Sequence, residues 1–151
     1  MSQQADVRAV EIARRLALDQ DIACKSDGYA SSAQSYADRL AQTGLDKTQI
    51  RGLETLTYTT DKVSDVTDWL KLRVGRDEKR DRWARKGIGR ELLATLERLR
   101  DDAREIADEV KREHPLPDKD IDLERQVHLR LIREYLKHLA AHFEYVKAGG
   151  R

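Results

Sequence analysis

One stretch of sequence constrains the fold more than any other. Between Arg90 and His114, residues Leu92, Leu93, Leu96, Leu99, Ala103, Ile106, Ala107 and Val110 fall within an arc of about 140° at ~100° per residue. A strand, with its period of two, would scatter the same residues over both faces. A second stripe follows in Ile121, Leu131, Ile132, Tyr135, Leu136, Leu139, Phe143 and Val146. Pro115 and Pro117 interrupt the chain between the two stripes. Asp118 or Asp120 can open the last helix and Gly149-Gly150 can close it. Each segment pairs its apolar stripe with a charged face, so the stripes must be buried against other helices, as in a bundle.

The first half extends this pattern. Val7, Val10, Ala13, Leu16 and Ala17 recur at helical spacing from Ala5 to about Cys24, before the loop-like Lys25-Ser26-Asp27-Gly28. A second helix is expected from about Tyr29 to Gln42, stopping at Gly44. Asp46 is a good N-cap for a third, with Ile50, Leu53 and Leu56 as its stripe. The threonine-rich run Thr55 to Thr60 weakens that helix toward its end. Ser64 could cap a fourth helix holding Val66, Trp69, Leu70 and Val74. The expectation is one all-α domain over 1–151, a helical bundle of about five to six helices, with no repeat and no second domain.

Composition narrows the class of protein. The 151 residues include one cysteine, two prolines and 5% aromatics. A lone Cys24 excludes an internal disulfide framework and fits a reducing cytoplasm. No apolar run approaches the roughly 18–20 residues of a membrane span, and no signal-peptide core is present. Enzyme signatures are also missing. There is no phosphate-binding glycine loop, no G-x-S-x-G elbow and no cysteine cluster for zinc. Gly87-Ile88-Gly89 lacks the third glycine and the preceding strand of a dinucleotide site. Cys24 reads as a small semi-buried hydrophobe. Glu134, His138 and His142 share one flank of the last helix, which is ligand stereochemistry. They match no metal motif, however, and a small enzyme built on His138 and His142 stands as a third reading. No cofactor is expected.

Charge carries more information. Lys+Arg number 29 and Asp+Glu 28, for a net charge of +1. The balance is uneven: Lys71 to Arg90 holds nine basic and three acidic residues, a net of +6, leaving −5 for the remainder. Were that segment one helix, Arg73, Arg76, Lys79, Arg80, Lys86 and Arg90 would share an arc of about 140°, with Trp83 inside it. A basic stripe with an embedded indole can track a phosphate backbone and offer a stacking surface. Gly75, Gly87 and Gly89 each cost roughly 1 kcal/mol in a helix interior, so a break or bend is expected. The alternative is a solvated charged face with Trp83 packed against a neighbour. Separately, Gly44 to Leu56 looks like the recognition end of a helix-turn-helix with Arg51 exposed. In a DNA-binding regulator, Asp46 to Thr57 would enter the major groove, with Gln49 and Arg51 as readers.

Three segments together suggest a family. Leu45-Asp46-Lys47-Thr48-Gln49-Ile50-Arg51 resembles the L-T-x-S-Q-I-R segment of the small subunit of the type III-A CRISPR effector, the Csm complex. Trp69-Leu70-Lys71-Leu72-Arg73-Val74-Gly75-Arg76 resembles a later basic segment of that family. The stretch from Tyr135 through Leu139-Ala140-Ala141-His142 to Gly149-Gly150-Arg151 resembles its closing helix. The resemblance implies a non-enzymatic helical subunit, present in several copies beside other effector subunits. Such subunits line the groove for the guide RNA and target RNA and contact the nucleic acid mainly through phosphates. It carries RNA contact to Arg51, Lys71, Arg73 and Arg76. Charge alone adds Lys79, Arg80, Arg82 and Arg90.

Overall fold

The two stripes of the second half need a third surface to close on, and a long first helix supplies it. The computed structural model describes residues 2–149. Its helices are α1 (Ser2–Ala41), α2 (Lys47–Thr59), α3 (Val63–Gly75), α4 (Ile88–Glu113), α5 (Pro117–Asp120) and α6 (Leu123–Lys147), with a 3₁₀ turn at Arg85–Gly87. Among the described residues there is no strand. Gly150 and Arg151, placed by the sequence at the close of the last helix, lie outside the described residues.

Pairs between helices set the directions. Asp19 meets Arg130, Ser26 meets His138 and Asp38 meets His142, so α1 and α6 run parallel. Lys25 meets Glu105, Tyr29 meets Asp102, and Tyr36 meets Thr95, so α4 runs antiparallel to α1. Helix α2 lies on α6 through Arg51–Glu144, and Arg125 ties the α2–α3 turn to α6 by donating to the Asp61 carbonyl. The core between them holds Leu40, Leu53, Leu70, Leu92, Leu96, Leu131, Ile132 and Phe143, all buried. Burying each such side chain is worth about 1.5–3 kcal/mol. One pole of the bundle is the start of α1 with the 114–122 corner. The other is the end of α1, the 42–46 turn and the 76–87 loop.

Both stripes of the second half are buried as their spacing requires, with Leu93 and Val146 half-buried at the margins. The exception is Ile121, which is 84% exposed. Pro117 takes the first position of its own single turn, α5, and the chain restarts at Asp122. Neither Asp118 nor Asp120 therefore opens the last helix, and Ile121 falls in the joint. Asp46 does cap α2: its Oδ1 accepts from Gln49 N at 3.2 Å, and Gln49 Oε1 accepts from Asp46 N at 3.0 Å. This reciprocal capping box satisfies two otherwise unpaired donors. The helix ends in the threonine run, where Thr57 donates back to the Glu54 carbonyl at 2.6 Å. Ser64 does not cap α3. Thr60 does the local work, accepting from Lys62 N at 3.0 Å and donating to Asp65 at 2.6 Å, so the helix starts at Val63.

The largest departure is at the first loop expected. Residues 25–28 are helical, and α1 runs unbroken for 40 residues, about 60 Å at 1.5 Å per residue. Lys25, Ser26 and Tyr29 each bond to α4 or α6, which outweighs the roughly 1 kcal/mol that Gly28 costs a helix interior. Helix α4, at 26 residues, spans only about 39 Å. The start of α1 therefore outruns its partners and leaves Val7 exposed; Leu16, also expected on the apolar face, is exposed although Arg14 and Leu18 on either side of it are covered, so it points away from the bundle. Cys24 is likewise exposed rather than semi-buried.

Two outcomes are expected from this geometry. A Cβ at Gly28 would meet nothing within 4 Å. Gly28→Ala should therefore stabilise by about 0.5–1 kcal/mol, raising the melting temperature by about 1–4 °C. A lower melting temperature would mean residues 25–28 are not helical. His128, buried with Nε2 2.9 Å from the Leu96 carbonyl, has its pKa lowered from 6.5 chiefly by burial. It is neutral in the fold and titrates higher in the unfolded chain. Its contribution is thus complete above pH 6.5 and lost as pH falls from there through its folded value. Urea midpoints should drop between pH 6.5 and 5, and His128→Gln should flatten that drop. An undiminished drop in the variant would assign it elsewhere.

Candidate nucleic-acid interface

Helix α3 ends at Gly75, and the expected break follows at once. The chain then passes through turns closed by Arg80 N, Arg85 N and Gly87 N on the carbonyls of Asp77, Arg82 and Ala84, so the basic segment is not one helix and its side chains do not form one stripe. Asp77 organises the turns: its Oδ2 accepts from Arg82 N at 3.0 Å and from Ala84 N at 2.8 Å. Gly44 N donates to the Asp81 carbonyl at 2.8 Å and ties the loop to the end of α1. Arg80 and Lys86 take left-handed backbone angles, φ 53° and 51°, which tight reversals demand and L-residues adopt at some cost.

Trp83 anchors the loop from within. It is 2% exposed and packs edge-to-face on Trp69, with ring centroids 5.8 Å apart. It is therefore not a stacking surface among the cations. The face of Trp69 is also covered, by the Arg73 guanidinium 4.6 Å from its centroid. Gly89 lets α4 begin directly beneath Trp83. Its N–H donates to the Trp83 carbonyl at 2.8 Å, and a Cβ there would lie 2.5 Å from both that oxygen and Val74 Cγ2.

The loop, pinned in this way, and the helix ends on either side of it turn their cations outward. Lys71, Arg73, Arg76, Lys79, Arg80, Arg82, Lys86 and Arg90 are all exposed. Arg85 is half-buried and donates to the Gln42 carbonyl at 2.7 Å. Among the described residues none of these nine forms an ion pair. Elsewhere some cations are paired, Arg39 with Glu91, Arg51 with Glu144, Arg100 and Arg104 with Glu124, and Arg130 with Asp19, while the unpaired ones are more widely spaced along the chain. The free cations group around separate hollows. Arg73, Arg76, Lys79 and Arg82 line one of about 360 Å³ that reaches Gln49. Arg80 and Arg90 line another of about 340 Å³, and Asp77 and Glu78 border both. Lys86 and Arg85 face a smaller one with Arg39, and Lys71 lies on α3 outside all three.

Arg51 is not brought to this site. Its Nε is 2.5 Å from Glu144 Oε1, and that contact raises the arginine pKa and lowers that of the carboxylate. Gln49 uses its side-chain oxygen in the capping box. The two residues that would read bases in a helix-turn-helix are thus both engaged within the fold. His138 faces Ser26 at 3.0 Å and His142 faces Asp38 at 2.8 Å, so the histidines join α1 to α6. Among the described residues no group of three His, Cys, Asp or Glu is placed to hold a metal. No helix among them is long and apolar enough to cross a membrane.

Sequence reasoning missed Asp77 and Arg85. The first looked like one acid in a basic run, and the second fell off the arc of a helix that does not form. The chain matches no protein-family model, no curated protein and no solved structure.

Gly89→Ala tests how the loop is held. The added methyl must displace backbone or Val74, at about 1–3 kcal/mol. Thermal unfolding should show that loss, and limited trypsin digestion should cut faster at Arg80 or Arg82. Parental stability would show that the close approach at Trp83 is not needed.

Proposed function

We propose that this chain is a non-catalytic, RNA-contacting subunit of a guide-RNA-directed effector, of the type III-A Csm class that its sequence resembles. The observation that carries the reading is the dense set of unpaired cations on the end of α3, the loop after it and the start of α4. Unpaired cations on a pinned loop suit a phosphate backbone, because little ordering is required and counterions are released on contact. The buried Trp83 and the covered Trp69 leave no aromatic face there for bases. That favours contact indifferent to sequence, as expected where guide–target pairing supplies specificity and protein supplies a positive channel. Guide RNA and target RNA backbones are the partners of this pole. The remaining surface, net negative, serves other effector subunits and further copies of this chain.

The test is RNA affinity measured by fluorescence anisotropy between 50 and 200 mM salt. Loss of three phosphate contacts should reduce the log–log salt slope by roughly 2 for single-stranded RNA, equally across sequences. Replacing Lys71, Arg73 and Arg76 with Ala is expected to do this. Replacing Arg100 and Arg104, which are paired with Glu124 on another face, should leave the slope unchanged. An unaltered slope in the first variant would remove these residues from the interface.

A further inference from the structure

Helix α1 carries a second apolar stripe, on the side turned away from the bundle. Ala5, Ala9, Ile12, Leu16, Asp19 and Ala23 follow one another at spacings of 4, 3, 4, 3 and 4. That is the a/d repeat of a coiled-coil seam, with one acidic position in it. All six are exposed, Ile12 by 54% and Leu16 by 64%, while Arg14 and Ile22 on the opposite side of the helix are buried. Single exposed apolar residues are ordinary; a repeat of them along one face is not. The seam runs about 27 Å at 1.5 Å per residue. It stops where the next position of the repeat, Ser26, turns inward to His138. A free peptide of this length would hardly stay helical, but α1 is already fixed in the bundle, so pairing carries no cost of helix formation.

The occupant that fits this stripe is a second copy of it, laid antiparallel. Ile12 then meets Leu16 of the second copy, Ala9 meets Asp19, and Ala5 meets Ala23. The large side chains pack at the centre, and the alanines let the helices close in on either side. Asp19 sets the direction. In a parallel pair it would face its own copy, a like-charge contact that opposes association. In the antiparallel pair it faces Ala9, beside Arg8, which forms no ion pair among the described residues. Arg8 and Asp19 lie within about 20° of each other at ~100° per residue, on the same flank of the seam. Each copy's Arg8 therefore comes beside the other's Asp19. Within the fold Asp19 accepts from Arg130 at 2.9 Å and stays half exposed, so it can serve both arginines. Arg15, on the same flank, comes near its own copy at the two-fold axis; it is exposed and can turn aside, and it weakens the pair without forbidding it.

We propose that the chain self-associates as an antiparallel dimer through the outward stripe of α1, with Ile12 packed on Leu16 of the second copy and Arg8 paired with its Asp19. The seam occupies α1 up to Ala23, whereas the basic loop meets the other end of that helix, so both surfaces are free at once. The proposal does not rest on RNA contact, and self-association is measured without RNA, so either reading can fail alone.

The experiment is sedimentation velocity of the full chain under reducing conditions, over a wide range of protein concentration. One helix pair is small beside the usual interface of about 1,600 Å² in total, so a reversible dimer dissociating at roughly 10–100 μM is expected. Ile12→Lys and Leu16→Lys alter exposed side chains. Each should keep the parental melting temperature and weaken the dimer by at least about tenfold, or 1.4 kcal/mol. Arg8→Glu should weaken it several-fold, and Arg15→Gln should tighten it. Cross-linking reads the direction. In a Cys24→Ser background, Ile12→Cys and Leu16→Cys chains are mixed and oxidised, and the mixed disulfide should predominate. Like positions lie about 6 Å out of step along the antiparallel pair, and a disulfide needs Cα atoms within ~7 Å. A monomer at every concentration would overturn the proposal and leave the stripe to a different partner. Parental association in both lysine variants would move the dimer to another surface, and a majority of like-with-like disulfides would refute the antiparallel pairing; either result overturns the proposal.

Discussion

The structure depends on the seam between α1 and α6. Two parallel helices of unequal length lie side by side, and Ala33 and Ala37, fully buried, mark where small side chains let them approach. Polar pairs punctuate the seam: Ser26 with His138, Ser32 with Tyr135 at 2.6 Å, Asp38 with His142. Burial pushes the Tyr135 hydroxyl up to about 12, so it stays protonated and bonded at any physiological pH. Hydrogen bonds of this kind contribute only about 1 kcal/mol each. Their larger effect is on register, because sliding α1 along α6 would strand the buried Ser26 and Tyr135 hydroxyls together. That register fixes where α1 ends, and hence where the 42–46 turn receives the basic loop.

The same constraint explains the distribution of charge. Ion pairs between helices engage some of the chain's many Arg, Lys, Asp and Glu side chains. Arg130 reaches Asp19, Arg100 and Arg104 share Glu124, and Arg51 holds Glu144. Exposed pairs like these add little stability individually. They do neutralise the flanks. Unpaired cations are scattered over the bundle, but they are densest between Lys71 and Arg90, where the local acids are partly occupied by scaffolding. Asp77 is the clearest case, since its Oδ2 serves backbone N–H groups rather than an arginine. The loop's positive potential therefore survives folding, although the chain as a whole is nearly neutral.

How much of this could be read beforehand depended on whether a signal was local. The stripes of α4 and α6, the Asp46 cap and the break after Gly75 follow from spacing and side-chain chemistry within a few residues. The unity of α1 does not. Ser26 and Gly28 look like loop residues because, in isolation, they are. Only contacts with His138 and Asp102, more than 70 positions away, make them helical. Trp83 misled for the same reason. Placed on an ideal helix it joins the cations, but the loop after α3 folds it inward against Trp69. The charge count survived that error because it used composition rather than geometry, while the single stripe derived from it did not.

The two poles differ in how they hold cations. At the loop pole the cations are exposed and numerous. Each gains little from any one anion in water and is strongly screened by salt. A polyanion would gain useful affinity there only through many such contacts along its length, or through repetition of the subunit along it. At the other pole a single guanidinium is buried with one edge unpaired. It is held by Asp120 and the His114 carbonyl, contacts that salt screens far less. One fold thus carries many exposed cations at one end and a single buried, ion-paired guanidinium at the other. The distance between them is set by the length of α4, about 39 Å. At several Debye lengths of separation under physiological salt, charge at one pole has almost no direct influence on the other. Any coupling between the two would have to pass through the packed α1–α6 seam.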